Sequence, residues 1–224
     1  MEEDLVMCMI GIWQTVDKLI RKSGPYVPFY LENTVLRSIG GAGQSILDVG
    51  CGWGEPMEIM QLNKHKFYTV GVDIFKPYLK EAKKNKTHSE YVLCDIRNLP
   101  FKENTFETVL CTEVIEHLDK DDAMKLIKEM EKIAQKQVII TTPVGFWQDA
   151  GKDGNPYQVH RSGFYPIEFK KLGYNTRAFG IRLNPITFSH THLKIVRRVL
   201  RVIFSPFSYY FPDFGERMVC IKKM

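Results

Sequence analysis

The chain has 224 residues, 44% of them hydrophobic, which is enough to bury a full core in one folding unit spanning residues 1–224. Its net charge of +5 is unevenly spread, with eight Lys/Arg against two acids from Ile181 onward, so an anionic partner or surface is expected to meet the C-terminal part. Five cysteines (Cys8, Cys51, Cys94, Cys111 and Cys220) are scattered without a C-x-x-C pair, which argues against a disulfide framework or a zinc site and for thiols in a reducing compartment.

In chain order, Met1-Glu2-Glu3-Asp4 is an acidic start without the basic region of a signal peptide, and the apolar stretch Leu5 to Trp13 is too short to span a bilayer. A cytoplasmic protein is expected. Residues 4–22 read as an amphipathic helix, followed by the aromatic connector "SGPYVPFY" and a second helix near 29–39, together a cover over residues 1–40. Strand-length apolar runs then fall near 45–49, 67–73, 90–94, 107–112 and 137–142, alternating with helical patterns at 55–63, 76–85 and 120–135. That alternation predicts a parallel sheet covered on both faces. In the 120–135 helix, Met124, Ile127, Met130, Ile133 and Ala134 recur at helical spacing and are assigned to the core. Beyond a Gly/Asp/Asn/Pro segment at 143–160 come a short helix near 166–172, a strand near 174–180, a basic and aromatic insertion at 181–215 and a last strand near 216–222. The 143–160 segment follows a strand's carboxyl end, where open α/β sheets bind ligands.

"ILDVGCGWGEP" (46–56) is a strand turning through glycines into a helix, with bare backbone offered to a ligand. Its G-x-G-x-G spacing differs from the dinucleotide G-x-G-x-x-G, and the lysine of a phosphate loop is absent. A second strand, "YTVGVDIF", ends in Asp73, whose carboxylate can accept both hydroxyls of a ribose. A third, "LCDIRNLPF", ends in Asp95, placed to accept from an exocyclic amine while Ile96 offers its N–H.

Taken with "NTFETVLCTEVIEHL" (104–118) and "VIITTP", this set resembles the motif series of class I S-adenosylmethionine-dependent methyltransferases, in particular the "type 11" small-molecule branch. The likeness covers residues 34–145 strongly and 160–180 weakly. It implies an α/β fold with a Rossmann-like seven-stranded sheet, mostly parallel with the last strand antiparallel, flanked by helices. The N-terminal cover, a core over 41–180, the insertion over 181–215 and the last strand over 216–224 complete it. The resemblance further implies that Asp48, Gly50 and Gly52 line the methionine moiety of S-adenosylmethionine and that Asp73 holds the ribose while Ile74 packs on adenine. Asp95 and Ile96 would read the adenine edge, and Cys111, Thr112 and Glu113 would border the sulfonium. The product would be S-adenosylhomocysteine.

Methyl transfer from a sulfonium is an in-line displacement that gains chiefly from alignment in a dry site. A base is needed only for a hydroxyl or protonated amine, and a histidine suits that task. His160 is the catalytic candidate, with a loop-tying role as its rival. Tyr26, Tyr30, His117, His190 and His192 are acceptor-side candidates. No [DN]-P-P-[FYW] or Pro-Cys motif is present, and no cluster of acids and histidines shows metal-ligand spacing, so no metal is expected. An O- or N-acceptor that is small, sugar or lipid-linked remains. Lys194, Arg197, Arg198 and Arg201 form one cationic helical face, either a solvated surface or a contact with an anionic membrane. One basic helix is too little for nucleic acid. The alternatives are an RNA methyltransferase, or a catalytically silent subunit that binds the cofactor and regulates a partner.

Overall fold

The computed structural model describes residues 29–40, 44–59, 67–148, 154–182 and 191–224, with only the backbone course at 59 and 191–199. The expected 4–22 helix, Cys8, Tyr26, His190 and the far end of the 55–63 helix lie outside the described residues, as do the side chains of His192, Lys194, Arg197 and Arg198.

Strands β1 (Ser45–Val49), β2 (Tyr68–Asp73), β3 (Glu90–Leu93), β4 (Phe106–Thr112), β5 (Ala134–Pro143), β6 (Asn175–Phe179) and β7 (Arg217–Lys223) form one seven-stranded sheet. Its order is β3-β2-β1-β4-β5-β7-β6. The first five strands are parallel, and β7 runs antiparallel to both β5 and β6. The expected Rossmann-like sheet with an antiparallel last strand is therefore present. Strand order reverses between β1 and β4, which opens a crevice at their carboxyl ends.

The helices are α1 (Leu31–Ile39), α2 (Glu55–Ile59), α3 (Lys76–Asn85), α4 (Lys120–Ile133), α5 (Pro166–Lys171) and α6 (Thr191–Tyr210). On one face of the sheet, Leu31, Val35 and Ile39 of α1 pack on Ile46, Leu110, Ile139 and Val219. On the other face, α4 and Phe164, Phe169 and Tyr174 cover Leu47, Val109, Val138 and Ile140. Each such aliphatic side chain removed from water contributes about 1.5–3 kcal/mol, so the two apolar faces of the sheet explain why the strand sequences read as unbroken hydrophobic runs.

Two local expectations are adjusted. In α4 the buried stripe is Ala123, Leu126, Ile127, Met130 and Ile133, and Met124 is only half-buried. The helix stops at Ile133 because Ala134 already pairs with Phe106 as the first residue of β5. Asn104 and Thr105 donate their N–H groups to the Lys132 and Ile133 carbonyls, closing the helix end without a loop.

The basic insertion is mostly α6, which continues through Pro206 to Tyr210, so the first part of "SPFSYYFPDF" is helical. Ser205 Oγ donates to the Arg201 carbonyl (2.7 Å) and accepts the Gly180 N–H (3.1 Å), tying α6 to the end of β6. Arg201 pairs with Glu216 just before β7 and so leaves the solvated cationic face assigned to it.

The α4 side is fixed to the sheet by Glu131, which accepts from Tyr174 Oη (2.9 Å) and Lys222 Nζ (2.9 Å). Burial, with Glu131 beside it, pushes the Tyr174 hydroxyl upward, so it stays a donor. Tyr174→Phe removes a bond to a charged acceptor and is expected to cost about 1.5–3 kcal/mol, read from the urea midpoint.

Candidate active site

A cavity of about 970 Å³ opens at the carboxyl ends of β1, β2, β3 and β4, the size class of a nucleoside cofactor with an acceptor beside it. Its first wall is the loop after β1. Gly50 and Cys51 donate their N–H groups to the Val72 carbonyl (2.8 and 2.9 Å), which hangs the loop on the end of β2. Gly52 has φ +55° and a Cβ there would meet nothing within 4 Å, so its backbone faces open cavity. Gly54 has φ +86° and turns toward the protein, where a Cβ would stand 2.2 Å from Thr87 Oγ1. At Gly50 a Cβ would strike the Val114 side chain.

Asp48 is not on this wall. It is fully buried behind the loop, its Oδ2 3.0 Å from His88 Nε2, while Thr87 Oγ1 stands 2.9 Å from His88 Nδ1. A carboxylate only accepts, so Nε2 carries the proton of that bond. The expected placement beside methionine is thus replaced by a structural one: Asp48 anchors the imidazole and hydroxyl that limit space under Gly54. His88 carried no sequence signal, since it lies 40 residues from its partner.

Asp73 does face the cavity. Its two oxygens accept from Gly52 N (2.9 Å) and Phe75 N (2.7 Å), so it joins the glycine loop to the start of α3. Burial raises its carboxyl above the ordinary value, against the pull of those N–H groups. Beside it stand Ile74 and the edge-packed rings of Trp53 and Tyr78, centroids 4.8 Å apart. Asp95 and Ile96 line the next stretch. The Asp95 carboxylate accepts from Arg97 N (3.0 Å), Nε (3.0 Å) and Nη2 (2.5 Å), and those side-chain bonds hold it below the usual carboxylate range. Arg97, which sequence reading passed over, therefore already occupies the Asp95 carboxylate.

Thr112 and Glu113 close the opposite side, whereas Cys111 is fully buried in the core, off the cavity. Glu113 adopts φ +54°, a strained left-handed conformation for a residue with a side chain. Its carboxylate accepts from Thr141 Oγ1 (2.9 Å). Burial pushes this carboxyl up, while Arg217 and the Thr141 hydroxyl pull against it. Burial also works against the charge of Arg217, yet Glu113, Glu32 and Glu216 together hold its guanidinium above its ordinary value. Tyr30 and Glu32 from the start of α1, and Arg201, Val202 and Ile203 from α6, complete this end.

The turn Ile115–His117 after β4 brings Glu116 and His117 forward. His117 lines the cavity, and His160 lies just off it with its ring 4.9 Å from that of His117. His160 Nδ1 donates to the Trp147 carbonyl (2.7 Å), the loop-tying bond expected as the rival to catalysis. Ligand atoms of Glu116, His117 and His160 all lie within 4.8 Å of one another. The sequence shows no metal-ligand spacing for this group because the third residue arrives 43 positions after the second, from a different loop, beyond any local spacing pattern.

Residues 47–141 match the sequence family described as "Methyltransferase domain". The chain is 32% identical over 92 residues to "Probable tRNA methyltransferase 9B" of Homo sapiens, covering 41% of this chain and 19% of that one. It is 32% identical over 95 residues to the ubiquinone/menaquinone biosynthesis C-methyltransferase of Desulfotalea psychrophila, covering 42% and 37%. The match thus spans well under half the length of these curated relatives. Among solved structures, magnesium protoporphyrin IX methyltransferase of Synechocystis with bound SAM shares the fold at a TM-score of 0.51 and 15% identity, covering 96% of this chain and 80% of that one.

Proposed function

Because residues 47–141 carry the methyltransferase-domain sequence on the class I methyltransferase fold, we propose that the protein moves a methyl group from S-adenosylmethionine to an O or N atom of a small, sugar or lipid-linked acceptor. The observation that carries this reading is Asp73: one carboxylate facing the cavity is bonded to the bare Gly52 N–H and still has lone pairs for two ribose hydroxyls.

In this reading Gly50 and Gly52 receive the methionine end, Asp73 the ribose, Ile74 and Tyr78 the adenine face, and Asp95 with Ile96 the adenine edge. Thr112 and Glu113 border the sulfonium. The donor and acceptor are held in line and water is excluded, which supplies most of the rate advantage such a transfer needs. The acceptor enters from the side of Tyr30, His117 and α6. Ile203, Phe207, Phe211 and Phe214 are exposed on and after α6, an apolar surface that favours a lipid-linked acceptor and contact with a membrane. Among the described residues no helix is long and apolar enough to cross one.

The relatives named for tRNA and for carbon methylation keep two other acceptor classes in view. Incubating the protein with S-adenosylmethionine and separate aqueous, lipid and RNA fractions is expected to yield S-adenosylhomocysteine with a methylated compound in the aqueous or lipid fraction. Product in the RNA fraction alone overturns the acceptor assignment. No product in any fraction, with the cofactor bound, favours a silent cofactor-binding subunit.

A further inference from the structure

Glu116 is buried at 2% exposure, and no lysine or arginine among the described residues pairs with it. An ionised carboxylate in that position is costly unless a cation accompanies it. Two imidazoles stand beside it, and the ligand atoms of all three residues fall within 4.8 Å. Donors around a divalent cation at about 2.1 Å sit roughly 3.0 Å apart when adjacent and 4.2 Å when opposite. The three ligand atoms are thus near enough for side-chain rotation to bring them to one cation.

The surroundings are built as an outer shell for ligands. His160 donates its Nδ1 proton to the Trp147 carbonyl at 2.7 Å, which leaves Nε2 as the lone-pair nitrogen. That is the arrangement that orients a coordinating imidazole. Thr142 Oγ1 donates to Glu116 Oε2 at 2.9 Å, which fixes one carboxylate oxygen. The Glu116 carbonyl accepts from both Arg161 N (2.8 Å) and Ser162 N (3.1 Å), so the loop carrying His160 is stitched to the turn carrying its partners. Glu113 faces the cluster as a further negative charge, itself opposed by Arg217.

We propose that Glu116, His117 and His160 form a divalent cation site at the acceptor end of the cavity. Two nitrogens and one carboxylate oxygen suit a first-row cation such as Mn²⁺ or Zn²⁺. His117 and Glu113 line the cavity, so the remaining coordination positions of such a cation open toward the acceptor. Resting on the methyl-transfer reading, this assigns the acceptor atom as a hydroxyl oxygen, held by the cation together with a neighbouring oxygen of the same molecule. Coordination lowers the hydroxyl's affinity for its proton, which passes to water at the cavity mouth. The freed oxygen lone pair forms the new O–C bond as the methyl–sulfur bond breaks, and the bonding pair stays on sulfur as a neutral thioether. One proton is released per methyl moved, and nothing is oxidised or reduced. His160 acts here as a ligand, not as the base.

The test is calorimetric titration of chelator-stripped full chain with MnCl₂ and with ZnCl₂, in the absence of cofactor. One site per chain is expected, weakened more than about tenfold in His160→Ala and Glu116→Gln, while S-adenosylhomocysteine affinity in both variants stays at the wild-type value. No saturable binding of either cation, or unchanged binding in both variants, overturns the site. Should the variants fail to fold, histidine-labelled wild type decides it: substoichiometric Mn²⁺ is expected to broaden the ring signals of His117 and His160, and undisturbed signals overturn the proposal. Failure to bind S-adenosylhomocysteine at all instead overturns the methyl-transfer reading and leaves the cation result standing.

Discussion

Asp73→Ala is expected to weaken S-adenosylmethionine binding by roughly 100- to 10,000-fold, because two hydrogen bonds to a charged acceptor contribute about 1.5–3 kcal/mol each and 1.4 kcal/mol is tenfold. Of the four acceptor positions on that carboxylate, one is taken by Gly52 N–H and one by Phe75 N–H, which leaves two for the ribose. Asp73→Asn keeps the shape but turns an amide toward one of those donors, so it should behave nearly as badly. Isothermal titration separates this from misfolding. Burial holds the Asp73 carboxyl above its ordinary value, so its ionised form costs the ligand-free fold something, and stability from this group, present below the ordinary value, is lost as pH rises through the raised value of the folded state. Cofactor affinity should follow the opposite course, falling as pH drops and the carboxyl takes up its proton. An affinity unchanged by Asp73→Ala would remove the ribose assignment.

Two alanine substitutions only two positions apart should fail in different ways. Gly54→Ala places a Cβ 2.2 Å from Thr87 Oγ1 in a left-handed conformation. Strain of about 1–2 kcal/mol adds to overpacking of about 1–3 kcal/mol. The neighbour has little freedom to yield, since Thr87 is held by His88 and His88 by Asp48. A loss of about 2–5 kcal/mol in urea unfolding is therefore expected. Gly52→Ala suffers the strain but meets no atom within 4 Å, so it should lose only about 1–2 kcal/mol of stability while the new methyl occupies the space a ligand needs. Equal stability losses in the two variants would show that both glycines serve the turn alone.

The parallel core was legible because burial on both faces writes itself as continuous apolar runs; β1 and α3 coincide with their expected limits. The junction at Ala134 was not, since pairing with Phe106, a contact distant in sequence, ends the helix that local propensity would continue. The cavity wall was half legible. Gly52, Asp73, Ile74, Asp95, Ile96, Thr112 and Glu113 line it as motif positions would suggest, because each sits where a strand ends. Asp48 and Cys111 share those strand ends but point into the protein, a choice of direction that spacing along a strand does not reveal when both faces are covered. His88, Arg217 and the Glu116, His117 and His160 group escaped because each acquires its meaning from a partner brought near only by the fold.

The seat of β7 between β5 and β6 carries a temporal consequence. Among the described residues strand β6 pairs only with β7, so it has no described ladder to join until the stretch after α6 has left the ribosome and threaded back into the gap. Arg217 and Glu216, which complete one end of the cavity, arrive on that same strand or at its threshold. A nascent chain can therefore assemble the cavity wall at the ends of β1, β2 and β3 well before the wall that Glu216 and Arg217 complete exists.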